Sequence, residues 1–163
     1  MTLHFSHPAI RRGRRTVLEA AAFSLPCPAA LGVVGINGSG KSSLFMHIAG
    51  MLGTFARRPA GGALRLGDDG ADAGPSLAIV PQEPALPSWL HVERVALLYG
   101  TTFDQLDAAM PSLFLQELRG RRAGALSTGQ RQAFAVALAL SRGAALTILD
   151  EPFAALDFRR RIG

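Results

Sequence analysis

Residues 35 to 42 read Gly-Ile-Asn-Gly-Ser-Gly-Lys-Ser, directly after an apolar run at residues 31–34. The pattern is Gly, four free positions, then Gly-Lys and Ser or Thr, and its spacing has a physical cause. Glycines let the backbone turn tightly enough for several N–H groups to converge on phosphate oxygens. Residues 42–52 follow with Leu44, Phe45, Ile48 and Leu52 on one stripe, which predicts a helix. The positive end of that helix points at the same phosphates. Lys41 adds a point charge, and the Ser42 hydroxyl is placed to bind Mg2+. Gly35, Asn37, Gly38, Ser39, Gly40, Lys41, Ser42 and Ser43 are therefore candidate phosphate-binding residues. A strand, this loop and a helix in succession commit the chain to an α/β fold.

The basic residues sharpen the reading. The chain carries 16 Arg and one Lys, and that lysine is Lys41. A compact ammonium fits inside a phosphate loop, whereas a forked guanidinium is bulky there. The net charge of +5 suits phosphate-bearing ligands or an acidic membrane face, and serves equally for solubility. With 163 residues, 48% of them hydrophobic and 18% charged, the chain can bury one sizeable core and is not a disordered segment. Its one cysteine, Cys27, allows neither an internal disulfide nor a metal cluster built on thiolates. No signal peptide is expected from residues 1–7. The apolar stretch at 20–36 is broken by Pro26 and Pro28 and falls short of the about 20 residues a span needs.

Residues 3–5 and 17–25 read as strands joined by a basic turn at 11–15. Residues 31–34, 63–66 and 77–80 read as further strands, with turns at 61–62 and 67–69. Val92, Val95, Leu98 and Tyr99 share a helical face, Thr102 is placed to cap a short helix reaching Met110, and residues 113–118 form another apolar stripe. Residues 130–140 read as an Ala- and Leu-rich helix, and 146–149 as a fully apolar strand. Strands alternating with helices predict a mainly parallel sheet covered on both faces. Trp89 reads as a packing residue, with contact to a membrane partner as the alternative.

Four further segments complete a pattern. Leu146-Thr-Ile-Leu-Asp150-Glu151 is an apolar strand ending in two acids, resembling a Walker B motif. Leu126-Ser-Thr-Gly-Gln130 opens a helix and resembles the signature motif of ABC ATPases, with Thr128 in place of a glycine; taken alone it is also an ordinary helix cap. Val80-Pro-Gln82-Glu-Pro84 resembles the Q-loop and Ala155-Leu156-Asp157 the D-loop. In order along nearly the whole chain, the five motifs resemble the nucleotide-binding subunit of an ABC transporter.

The resemblance implies a P-loop core with a mainly parallel sheet, an N-terminal antiparallel β subdomain and a helical insert at about 83–126, all in one domain over residues 1–163. It implies ATP and Mg2+ as ligands. Asp150, Ser42 and Gln82 would hold the metal, Glu151 would polarise the attacking water with Gln82 beside it, and Ser127, Gly129 and Gln130 would meet the γ-phosphate held by a second protomer. Membrane-spanning transporter subunits and a homodimer or heterodimer of ATP-binding subunits are the implied partners, with no nucleic acid. The implied location is cytoplasmic, on the inner face of the cell membrane, and residues 82–90 and 98–100 look most like exporter subunits. The alternatives are a truncated, non-catalytic nucleotide-binding module and a soluble ABC-type ATPase. A guanine-reading Asn-Lys-x-Asp is ruled out, because the chain's only Asn and Lys are Asn37 and Lys41.

Two departures stand against the family pattern. Arg12 occupies the position where the family carries an aromatic residue stacked on adenine. Past Asp157 the family continues with a helix, a strand and a switch histidine, so on that pattern the chain is expected to stop short. His4, His7, His47 and His91 all precede the Asp-Glu pair. Lys41→Ala is expected to weaken ATP binding at least tenfold, about 1.4 kcal/mol, measured by calorimetry in Mg2+; equal affinity would remove the phosphate-loop assignment.

Overall fold

The computed structural model describes residues 2–7, 9–12, 15–48, 63–66 and 76–152. The chain divides into two compact units, residues 1–76 and 77–163. The expected turns at 61–62 and 67–69, Leu52 and the D-loop with Asp157 lie outside the described residues.

The first unit is built on an antiparallel sheet. Strand β1 (Thr2–His7) lies between β4 (Ala21–Pro26) and β5 (Ala63–Leu66). Along β1, Leu3 and Phe5 are buried while their neighbours are less so, the period-two alternation of a half-covered sheet. Phe5 sits opposite Phe23, with ring centroids 5.0 Å apart and tilted, and such cross-strand aromatic pairs hold register. On the other side of the ladder His4 Nδ1 shares a 2.8 Å hydrogen bond with Ser24 Oγ.

Three expectations for this unit need correction. Residues 17–25 are not one strand, and residues 11–15 are not simply a turn. Ile10–Arg12 (β2) and Arg15–Leu18 (β3) pair as an antiparallel hairpin, and β4 begins only at Ala21. The break falls at Glu19-Ala20, residues of poor strand propensity, and lets the chain leave one sheet and enter another. Residues 31–34 form no strand. A strand is a ladder with a neighbour, and these residues pair with none among those described. Their apolar side chains stay outward, with Val34 96% and Leu31 54% exposed. The helix expected next does form as α1 (Lys41–Ile48).

The second unit carries the parallel pairing. Strands β6 (Leu77–Val80) and β7 (Leu146–Leu149) run parallel, with Leu77 beside Leu146 and Val80 beside Leu149. Between them in sequence lie α2 (Val92–Leu98), α3 (Phe103–Ala109), three single turns of 3-10 helix and α4 (Thr128–Ser141). Thr102 caps α3 as expected, in a full capping box with Gln105. The stripe at 113–118 is not one helix. Pro111 opens a 3-10 turn, Phe114 then takes a left-handed conformation at φ 51°, and a second 3-10 turn (Leu115–Leu118) buries both of its leucines.

Helix α4 is the centre of this unit because two of its faces are apolar. Phe134, Ala137 and Leu138 pack into a cluster with Val92, Val95, Leu106, Leu115 and Leu118. Ala135 and Ala139 pack on Ala78 and Val80 of β6. Small residues on that second face let the helix lie close to the sheet. At the rim Arg119 lies 4.9 Å over the Phe103 ring and pairs with Asp104, whose hydrogen bond raises the guanidinium pKa further. Leu98, expected on the buried face of α2, is 66% exposed, and Ala96 takes the buried place instead. Trp89 is 70% exposed and belongs to no core.

Phe134→Ala is expected to destabilise the second unit by about 3–5 kcal/mol, whereas Leu98→Ala should change stability by less than about 1 kcal/mol. Urea melts of the two variants, compared with the parent, check the contrast.

Candidate nucleotide and hydrolysis site

In the first unit the loop at 35–40 has the geometry its glycines require. Gly38 and Gly40 adopt φ of 80° and 99°, a region that side chains disfavour. A Cβ on Gly35 would come within 2.6 Å of Ser39 Oγ. Ser39 N donates to Ile36 O at 3.1 Å and closes the turn through Asn37. The first bond of the α1 ladder runs from Leu44 N to Gly40 O at 2.9 Å. The N–H groups of Lys41, Ser42 and Ser43 therefore precede the ladder, the arrangement that presents donors to an anion. Lys41 Nζ reaches back over the loop and donates to the carbonyls of Gly35 at 2.8 Å and Ile36 at 3.3 Å. Phosphate oxygens are stronger acceptors than these carbonyls, so the same ammonium is positioned to turn to them.

The second unit brings three of the expected residues together at the ends of β6 and β7. Asp150 N donates to Val80 O at 2.9 Å, one rung beyond the paired residues. Immediately after it, Glu151 has φ 48°, an unusual conformation for a residue with a side chain. Gln82 Nε2, 69 residues away in sequence, donates to Glu151 Oε2 at 3.1 Å. Asp150 Oδ1 is buried and has no hydrogen-bond partner. A buried carboxylate oxygen without a donor is costly unless something positive meets it. The donor set of Asp150 and the Gln82 amide is hard oxygen chemistry, which suits Mg2+. Ser42, the third residue expected at the metal, belongs to the first unit.

The signature segment folds as a helix cap. Ser127 Oγ accepts from Gln130 N at 3.2 Å, and Gln130 Oε1 accepts from Ser127 N at 3.1 Å, a complete capping box. Arg121 Nη1 also donates to Gln130 Oε1, at 2.9 Å. The N–H groups of Thr128 and Gly129 are the ones ahead of the α4 ladder. Arg121 was not among the expected residues, and no local pattern singles it out. Arg12 lies in β2, where its backbone pairs with Arg15.

The family model described as ABC transporter matches residues 18–154. The chain belongs to the ABC transporter family. Over 158 residues, 92% of this chain and 56% of the relative, it is 35% identical to an aliphatic sulfonates import ATP-binding protein of Rhizobium johnstonii. It is also 35% identical to a cytochrome c biogenesis ATP-binding export protein of Ruegeria pomeroyi, covering 96% of this chain and 72% of that protein. A solved ABC transporter of metal-chelate type in an inward-facing conformation aligns with 97% of this chain and 63% of its own, at a TM-score of 0.70 and 26% identity. The α/β P-loop fold of the ABC ATPases is thereby shown. The chain spans little more than half the length of the sulfonate-import relative. Among the described residues no helix is long and apolar enough to cross a membrane.

Gly40→Ala is expected to be the most damaging single glycine change in the loop. Its Cβ would lie 3.0 Å from Val17 Cγ1 and 3.2 Å from Val17 O, at a φ that already disfavours it. Gly38→Ala meets open space and carries only the conformational cost, about 1–2 kcal/mol. A lower melting temperature for Gly40→Ala than for Gly38→Ala checks this.

Proposed function

We propose that this chain is an ATP-binding subunit that couples ATP hydrolysis to transport through membrane-spanning partner subunits, with residues 1–163 acting as one nucleotide-binding domain. The observation that carries the catalytic part is the Gln82–Glu151 hydrogen bond of 3.1 Å beside the unpartnered Asp150 Oδ1. The family match and the import and export relatives support the transport part.

In this reading the loop N–H groups and Lys41 bind the β- and γ-phosphates, with Gly35, Asn37, Gly38, Ser39, Gly40, Ser42 and Ser43 shaping the cradle. Ser42, Asp150 and Gln82 would hold Mg2+, which when bound neutralises charge on the phosphate oxygens. Glu151 accepts the proton of the attacking water. The Gln82 amide holds one carboxylate oxygen, Oε2, and so leaves Oε1 for that task. The start of α4, with Ser127, Gly129 and Gln130, faces the γ-phosphate bound by a second protomer, as the family's ATP-sandwich dimer requires. The subunit would sit on the cytoplasmic face of the membrane, held there by its partners.

Glu151→Gln should keep ATP binding and reduce turnover by at least about a hundredfold, because an amide cannot accept the water's proton. Phosphate release and nucleotide binding, measured on the same sample with its membrane partners, separate the two effects. Unchanged turnover would make Glu151 an ordinary strand-end acid.

A further inference from the structure

Gln132 is a second unexplained polar group in the second unit. It lies in the first turn and a half of α4, is only 1% exposed, and neither Nε2 nor Oε1 has a hydrogen-bond partner. An amide buried with both ends unmet is costly, on the order of 1–3 kcal/mol for each group, so a purely packing role would be filled better by leucine or methionine. The only other buried side-chain atom among the described residues in the same condition is Asp150 Oδ1.

Register places the two at one level. Helix α4 ends at Ser141 and β7 starts at Leu146, so four residues reverse the chain. From Ser141 back to Gln132 the helix rises about 13.5 Å. From Leu146 forward to Asp150 the strand advances about 13 Å. Gln132 therefore stands beside the end of β7. It also stands on the correct face. At 100° per residue, Ala135, Val136 and Ala139 fall within about 60° of Gln132 around the axis. Those three belong to the cluster that packs on Ala78 and Val80, with Leu149 alongside.

We propose that Gln132 is a positioning residue for Asp150: its Nε2, unmet in this structure, turns to donate to the carboxylate when a divalent cation is held there, and fixes the orientation in which Asp150 holds it. The proposal rests on the reading of Asp150 as a metal ligand. Groups that orient a ligating carboxylate typically change metal affinity by about 10–100-fold when removed.

The test is direct metal binding by the full chain. Mn2+ affinity in the presence of ATP is read by electron paramagnetic resonance, alongside ATP affinity without metal and the thermal melt. Gln132→Leu is expected to keep or raise the melting temperature, to leave metal-free ATP affinity unchanged and to weaken Mn2+ binding about tenfold. Gln132→Met, unbranched and of similar length, should behave alike and serves if the leucine does not fit. Mn2+ affinity within twofold of the parent in the folded variants, whatever their melting temperature, overturns the proposal. Asp150→Asn separates the two levels. If it loses Mn2+ while Gln132→Leu keeps it, only the role of Gln132 fails; if it too keeps Mn2+, the metal reading of Asp150 fails and the proposal with it.

Discussion

The hydrogen bond from Asp150 N to Val80 O, 2.9 Å, carries the β6–β7 ladder one rung past its last paired residues. That rung fixes where two chain segments about 70 residues apart leave the sheet. Gln82 departs from one strand end and Glu151 from the other, and only a shared register brings their side chains to 3.1 Å. Because side chains alternate along a strand, a slip of one residue would turn Asp150 to the other face of the sheet and dissolve the arrangement. Closing so long a loop costs conformational entropy, and the bond alone does not repay it.

What repays it is burial along α4. Its Phe134 face closes the cluster with α2, α3 and the 3-10 turns, and its alanine face closes on β6. The helix thus holds the 83–126 segment and the sheet in one unit. Its start is pinned by the reciprocal cap of Ser127 and Gln130, with Arg121 donating to the same Gln130 oxygen. A segment that resembles a signature for an anion is therefore also a structural cap. The two roles are compatible because the cap uses side chains and leaves the N–H groups of Thr128 and Gly129 ahead of the ladder.

Local chemistry was legible wherever one segment alone dictates geometry. The tight turn at 35–42 was readable because its glycines act within eight consecutive residues, and Gly38 and Gly40 take the positive φ that so tight a turn demands. Thr102 and Ser127 were readable as caps for the same reason. The run at 31–34 was misread because apolar composition does not supply a neighbouring strand. Leu98 was misread because the face of α2 that packs runs through Val92, Val95 and Ala96, and Leu98 lies outside it.

The sequence by itself determined the α/β class and the family, through short motifs in order along the chain, and it named the loop at 35–42 and Gln82, Asp150 and Glu151 as candidate site residues. Only the tertiary structure decided that Gln82 meets Glu151, that Asp150 Oδ1 is left without a donor, and that Gln132 is buried with both ends of its amide unmet. The physical reason is separation. Hydrogen bonds between residues 69 apart are set by strand register and helix packing, which no local pattern encodes.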